Sequence, residues 1–260
     1  MPVAPPQVVA SPVSPAGRRY SIIDAANGPL DLPGNRLAGV VYEAPWCAGA
    51  TAREVDCDSP GAIVPGPGTT LIEGFEFIAE SALSCLAPGK PWDDRDGVQG
   101  FASDVRQALE ATEHVAVEDA VADALAAAAG VVDVGPQLDI VAAISALETQ
   151  AYTVERYGLR AVLHVPIAQW AFMDDRYQAE ERTAPSWSTR LKTIAYPNAG
   201  LPDNQLFITG QLSLWRAPSP WITPQEGAFD RVTNEWKAFV QRDWAAAWEC
   251  FTATATVEVG

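Results

Sequence analysis

The sequence predicts an α+β fold organised around one unusually long helix. Residues 96–129 contain no proline, and their apolar side chains recur in steps of three and four, which is the spacing of one helix face. Residues 252–259 alternate small or apolar with polar side chains, the period of a β-strand. Residues 1–34 are rich in proline and cannot form a core of their own. A helix of about 50 Å favours packing along a neighbour over lining a compact pocket.

Composition excludes several classes of protein. The 260 residues are 48% hydrophobic, enough for a buried core, so a disordered chain is not expected. The formal net charge is −16, and an acidic chain is poorly suited to gripping phosphate, so we expect only weak, non-specific contact with nucleic acid. The sequence shows no secretory signal and no apolar run of about 18 residues, which predicts a soluble protein made in the cytoplasm, with no membrane partner.

The N-terminal third is expected to project from the body of the protein. Residues 1–34 should be extended and held by a neighbouring subunit, so their deletion should leave a folded chain that assembles poorly. A short strand is predicted at 38–42 and a second, less regular one within 71–81. The turn-rich residues between them, 47–70, predict a projecting hairpin or loop.

The long helix is predicted to start at a capping Asp96 and to stop at Gly130. Its buried stripe is predicted to comprise Val98, Phe101, Val105, Ala108 or Leu109, Thr112, Ala116, Ala120, Ala124 and Ala128. Its opposite, polar face is predicted to carry Arg106, Gln107, Glu110, Glu113 and Asp119.

Shorter elements follow the long helix. Pro136 is expected at the first position of a second helix that ends at Gly158, with a buried strand at 160–165 behind it. A third helix is predicted within PIAQWAFMDDRYQ, with Ile167, Trp170 and Met173 on one face, and two short strands should flank Gly210.

The C-terminal region carries a long return strand. Apart from Arg242, apolar residues occupy the even positions of 236–250, and they occupy the odd positions from Phe251 onward, a change of face that a β-bulge or a sheet crossing produces. The spacing of three tryptophans leaves a helix open for the first half of this region: Trp236, Trp244 and Trp248. These tryptophans are expected to anchor a core or an interface.

No catalytic constellation is found. The chain has two histidines: His114 is expected on the surface of the long helix, and His164, within an apolar strand, is expected to be a satisfied core residue. Neither a G-x-S-x-G nucleophile motif nor a phosphate-binding loop occurs. The alternative of an α/β enzyme would use Cys85 or Cys47 with His164.

No metal or cofactor is expected. Residues 56–61 and 93–97 resemble the opening of a calcium loop but lack its closing glutamate. Asp93, Asp94 and Asp96 are therefore expected to cap the long helix. The four cysteines lack C-x-x-C spacing and are predicted to be free thiols, with a Cys47–Cys57 disulfide as the alternative: Cys47, Cys57, Cys85 and Cys250.

The order of these segments resembles the major capsid protein of tailed bacteriophages, the Johnson fold of the Hong Kong 97 type, which encapsulin shells share. LEATEHVAVEDAVADAL is similar to the family's spine helix, and RAVLHVPIAQW to its axial-domain strand and helix. TRLKTIAYPNAGLPDNQLFITG is similar to the strand and turn that follow. NEWKAFVQRDWAAAWECFTA resembles the return strand, in which Asn234 and Arg242 match family positions. The family's N-terminal helical scaffolding segment is missing from this sequence.

The resemblance implies an N-terminal arm, an extended loop leading into the peripheral domain, a spine helix, an axial domain and return strands: 1–42, 43–95, 96–134, 135–215 and 216–260. It implies a non-enzymatic protein that assembles with itself into pentamers and hexamers of an icosahedral head around double-stranded DNA. The expected location is the virion, assembled in the host cytoplasm, with portal and decoration proteins as further partners. Another head or tail protein, such as a connector or decoration protein, remains the alternative.

Overall fold

The computed structural model describes residues 21–31, 40–44, 70–86, 97–155, 157–176, 187–189, 191–230 and 235–258. The helices are α1 (Ile22–Ala25), α2 (Gly97–Ala127), α3 (Ile140–Thr149), which continues into a π-helical turn (Gln150–Val154), and α4 (Ile167–Arg176). The first strands are β1 (Asn27–Asp31), β2 (Val41–Ala44), β3 (Thr70–Glu73), β4 (Phe75–Leu86), β5 (Val132–Gln137) and β6 (Val162–Pro166). The remaining strands are β7 (Trp187–Ser188), β8 (Ile194–Asn198), β9 (Gln205–Thr209), β10 (Leu212–Arg216), β11 (Trp221–Asp230), β12 (Glu235–Trp248) and β13 (Thr252–Val257).

The strands form two main sheets and one hairpin. The five-stranded sheet has the order β1-β10-β12-β11, with β4 along the other side of β12. The six-stranded sheet has the order β5-β13-β9-β6-β8-β7. Strands β2 and β3 form the hairpin, and β3 runs into β4 through Gly74. The predicted α+β class is confirmed.

The long helix lies on the five-stranded sheet, and its buried side differs from the predicted stripe. The fully buried positions step by four through Val105, Leu109, Val117, Val121 and Leu125, with Glu113 in the same row. Thr112, predicted to be buried, is exposed. The sequence pattern placed Thr112 in the buried row instead of Glu113, because a glutamate is not expected among buried apolar residues.

Two hydrophobic cores meet at the six-stranded sheet. One side of this sheet packs with α1, α2 and the five-stranded sheet, through residues that include Val162, Tyr196 and Phe207. Its other side packs with α3 and the following turn, through residues that include Leu163, Leu206 and Ile208. The six-stranded sheet is therefore the middle layer of the molecule.

The part of the N-terminal arm that the structure describes packs on its own chain. Ile22 and Ile23 are buried in the core shared with the long helix, and β1 pairs in parallel with β10. A capping box between Ser21 and Asp24 starts α1. The expectation that all of 1–34 is extended and held by a neighbour is therefore wrong for residues 21–31, because two isoleucines supply an apolar face that the intramolecular core accepts. Residues 1–20 lie outside the described part.

The return strand crosses from one sheet to the other, as predicted. β12 belongs to the five-stranded sheet and β13 to the six-stranded sheet. The pairs Leu212↔Trp248 and Thr209↔Thr252 enclose two residues on one strand and three on the other, which is a one-residue bulge. The extra residue shifts the apolar positions from even to odd numbers. The helix left open for the first half is wrong, since Glu235–Trp248 is one strand.

One local expectation is also corrected. Pro136 lies in strand β5, and α3 begins after Asp139, whose side chain accepts a hydrogen bond from the Ala142 amide at 2.8 Å. Strand β10 joins the five-stranded sheet and β13 the six-stranded one, and the domain boundary at 215/216 stays a prediction. Among the described residues, no helix is long and apolar enough to cross a bilayer.

Candidate functional site: buried polar contacts and exposed edges

A buried ion pair joins the long helix to the return strand. The Arg242 guanidinium, through Nη1, donates to Glu113 Oε2 at 2.8 Å and to Oε1 at 3.0 Å. Both side chains are almost fully buried, at 5% and 6% exposure. Burial raises the pKa of the Glu113 carboxyl above its ordinary value, and the charges of Arg242 and Arg216 oppose that rise. Glu113 was predicted to lie on the polar face of the helix. It is buried because Arg242, on β12, neutralises its charge.

The helix also contacts the six-stranded sheet through a second carboxylate. Glu118 is fully buried and its Oε2 accepts a hydrogen bond from the Ala199 amide at 3.2 Å. A side chain at Gly200 would collide with the backbone of Asp119, 2.9 Å from the added carbon. His114 is 7% exposed, so the prediction of a surface histidine is wrong. The helix is covered on two sides, which buries a wider arc than a single stripe.

His164 is a core residue, as predicted. Its Nε2 lies 3.0 Å from Thr209 Oγ1, and its Nδ1 pairs with the Tyr196 hydroxyl. The ring is completely buried, and this burial lowers the pKa of His164 to about 3. Both ring nitrogens are occupied and the imidazole is neutral at physiological pH, so His164 cannot activate a thiol as the enzyme alternative requires.

The cysteine prediction is corrected at one position. Cys250 is disulfide-bonded, whereas the sequence predicted free thiols. It occupies the bulge between β12 and β13 with a φ of 64°. The side chains of Cys47, Cys57 and Cys85 lie outside the described part of the chain, so the proposed Cys47–Cys57 pairing stays untested.

Other candidate residues divide between core and undescribed segments. Trp244 is fully buried and stacks on Phe77 at 6.4 Å, and Trp248 meets Phe75 edge-on at 5.6 Å, as expected of core anchors. The side chains of Trp236 and Asn234, and both calcium-like segments at 56–61 and 93–96, lie outside the described residues. Within the described residues, no group of three metal-ligating side chains occurs.

A third polar contact lies where the two sheets meet. The Tyr157 hydroxyl donates to Glu249 Oε2 at 3.2 Å and accepts a hydrogen bond from the Gln211 amide at 2.8 Å. Burial raises the pKa of Tyr157 above its ordinary value, so the hydroxyl keeps its proton. No sequence motif indicated this contact, because Tyr157 and Glu249 are separated by 92 residues.

The surface carries exposed apolar side chains and an open strand edge. The exposed large apolar residues include Leu138 at 83%, Val154, Phe172, Leu191, Ile78 and Trp221. Strand β4 pairs with β12 along its whole length, and its other edge has no partner strand among the described residues. Open edges and exposed apolar groups are features that proteins cover by association.

The hairpin leaves the body beside the open edge. The Gly74 amide donates to the Val40 carbonyl at 2.8 Å, and a side chain at Gly74 would meet the carbonyls of Ala246 and Val40 at 3.1 and 3.2 Å. Glycine therefore permits the close approach of three chain segments where β3 turns into β4. The hairpin base is fixed to the sheet, and residues 45–69 at its far end lie outside the described part.

Comparison with known proteins identifies the fold. No protein-family profile matches the chain, and no curated protein sequence matches it. Among solved structures, 148 chains match. The capsid of an empty GTA particle matches with a TM-score of 0.58 at 11% identity, covering 98% of this chain and 96% of that one. A protein of Gordonia phage Cozz matches with a TM-score of 0.53 at 10% identity, covering 98% and 92% of the two chains.

A third match is cellular in origin. The virus-like particle from Pyrococcus furiosus matches with a TM-score of 0.51 at 8% identity, over 91% of this chain and 92% of that one. The chain therefore has the fold of phage capsid and virus-like-particle proteins, along nearly its full length. This confirms the fold that the order of segments predicted.

Proposed function

We propose that this protein is the major capsid protein of a tailed phage, which assembles into pentamers and hexamers of an icosahedral head around double-stranded DNA. The observation that carries the proposal is the shell-protein fold over nearly the whole chain. The sequence resemblance, in particular the return strand with Arg242, points the same way. The protein acts in the virion after assembly in the host cytoplasm and catalyses no reaction.

Self-association has a physical basis on the surface. A lone subunit leaves the edge of β4 unpaired in the described structure and exposes apolar side chains such as Leu138 and Phe172. Burying such groups at contacts repeated around a closed shell adds many modest free energies into a large one. The extended loop and residues 1–20 would add contacts with neighbouring subunits.

The two sheets correspond to two proposed parts of each subunit. In the proposed arrangement, the five-stranded sheet and the long helix form the peripheral part, and the six-stranded sheet forms the axial part. Strand β10 then belongs to the peripheral part and β13 to the axial part, which refines the boundaries 135–215 and 216–260. Residues 1–20 of the arm and the loop within 43–95 keep their proposed roles in contacts with neighbouring subunits.

The net charge suits a DNA container. At a formal charge of −16, the shell would repel packaged DNA and hold it only through weak, non-specific contacts. Portal and decoration proteins are the further partners that we propose for such a head.

Electron microscopy of the purified protein tests the proposal. We expect closed shells of uniform diameter, together with a fast-sedimenting species in analytical ultracentrifugation. Small rings or trimers would instead identify a connector or decoration protein, and a monomer at high concentration would contradict assembly altogether.

A further inference from the structure

The two sheets are joined by a two-stranded ribbon that changes layer at one place. We call this place the junction and define it as residues 210–211 on one strand and 249–251 on the other. Gly210 leaves no room for a side chain, since an added carbon would lie 2.2 Å from the Glu249 carbonyl oxygen. The Glu249 amide donates to the Gln211 carbonyl at 3.2 Å, so the ribbon stays paired across the bulge.

A ribbon with a bulge can twist, and a single side chain spans both of its strands. Tyr157 lies in the core between α3 and the six-stranded sheet, and its amide donates to the Ala151 carbonyl of the π-helical turn at 3.0 Å. Its ring meets Phe251 edge-on at 5.3 Å. Its hydroxyl then reaches the Gln211 amide on one strand and the Glu249 carboxylate on the other.

These contacts are buried. Tyr157 is 6% exposed and Glu249 is 2% exposed, so water cannot replace the hydroxyl without opening the junction. A twist of the ribbon by even a small angle would separate the hydroxyl from the Gln211 amide or from the Glu249 carboxylate.

We propose that Tyr157 is a positioning residue that fixes the angle between the two sheets, and through that angle the curvature of the shell. This inference rests on the proposed function. Because the same contact recurs in every subunit, a small change in the angle that it sets alters how many copies close a shell.

The chain offers a matched control in Tyr152. Its hydroxyl lies 2.9 Å from Thr193 Oγ1 and accepts a hydrogen bond from the Ala161 amide at 3.3 Å. Tyr152 therefore resembles Tyr157 in what its hydroxyl does, but both of its partners lie on the six-stranded side of the molecule. Tyr157→Phe and Tyr152→Phe each remove one hydroxyl oxygen that accepts a hydrogen bond from a backbone amide.

The experiment compares shell diameters of the wild type, Tyr157→Phe and Tyr152→Phe by cryo-electron microscopy, with thermal unfolding of each. We expect both variants to lose stability, but only Tyr157→Phe to lose the single diameter class of the wild type. A uniform wild-type diameter for Tyr157→Phe would overturn the inference, as would an equal broadening in Tyr152→Phe. Failure of the wild type to form any shell would instead overturn the proposed function.

Hydrogen exchange on the wild-type protein tests the same contact if Tyr157→Phe does not fold. The Gln211 amide should exchange as slowly as the paired amides of β10. Fast exchange at Gln211, beside slow exchange in β10, would show that the hydroxyl does not hold the junction and would overturn the inference.

Discussion

The two sheets differ in how they bury polar side chains: one buries a charged pair and the other a neutral histidine. At the five-stranded sheet a full ion pair, Glu113 with Arg242, is buried beneath the long helix. Within the six-stranded sheet, burial keeps His164 neutral between Tyr196 and Thr209. Burying a charged pair is stable only while both partners are present, whereas burying the neutral histidine is stable only while its ring stays unprotonated. The pH dependences of the two groups therefore have opposite sign: stability should fall with rising pH when Glu113 lacks its cation, and it should fall with falling pH where His164 is buried neutral.

The largest effect is expected from the segment that ties both regions together. Deleting residues 1–34 removes Ile22 and Ile23 from the shared core and β1 from its pairing with β10. Losing two buried isoleucines costs about 3–6 kcal/mol of unfolding free energy, which is enough to unfold a marginal domain. Deleting only residues 1–20 should leave stability almost unchanged while weakening assembly. Urea unfolding of both deletions checks this, and equal stability of the two would contradict it.

Arg242→Met should destabilise the five-stranded region by about 3–5 kcal/mol, because the Glu113 carboxylate is left buried without its cation. The pKa of Glu113 would then rise further in the folded state, so its protonated form is favoured there. The deficit relative to the wild type should be small at low pH and grow once the pH exceeds the folded-state pKa of Glu113 in the wild type, which already lies above the ordinary value of 4.5. The double variant Glu113→Leu/Arg242→Met should recover most of the loss. Urea titrations at several pH values measure both, and a deficit independent of pH would refute the assignment.

The smallest effect is a change in the pH profile of the six-stranded region. The folded-state pKa of His164 is about 3 and its unfolded value is 6.5, so the unfolded chain binds the proton first as pH falls. Wild-type stability should therefore decline as pH falls from 6.5 toward 3. His164→Asn should show a flatter profile over that range, at some cost in stability at neutral pH. A parallel decline in both proteins would show that other groups cause it.

Much of this architecture was predictable, and the errors on the long helix share one cause. The long helix, the return strand and its change of face follow from local periodicity. The buried row of α2 was misplaced because it passes through Glu113, whose partner lies 129 residues away. His114 was misplaced for a related reason, since a second layer covers the helix on a side that the sequence pattern leaves polar. The hydroxyl contacts of Tyr157 had no sequence signal at all.

The sequence by itself determined the long helix, the C-terminal strand, the change of face at Phe251 and the place of His164 in an apolar strand. Those features depend on neighbours a few residues away, which periodicity records. Only the tertiary structure decided that Ile22 returns to its own core, that Arg242 neutralises Glu113 and that Tyr157 spans the junction. Each of these depends on groups brought together from distant parts of the chain, and their free energies exist only once the two sheets have packed.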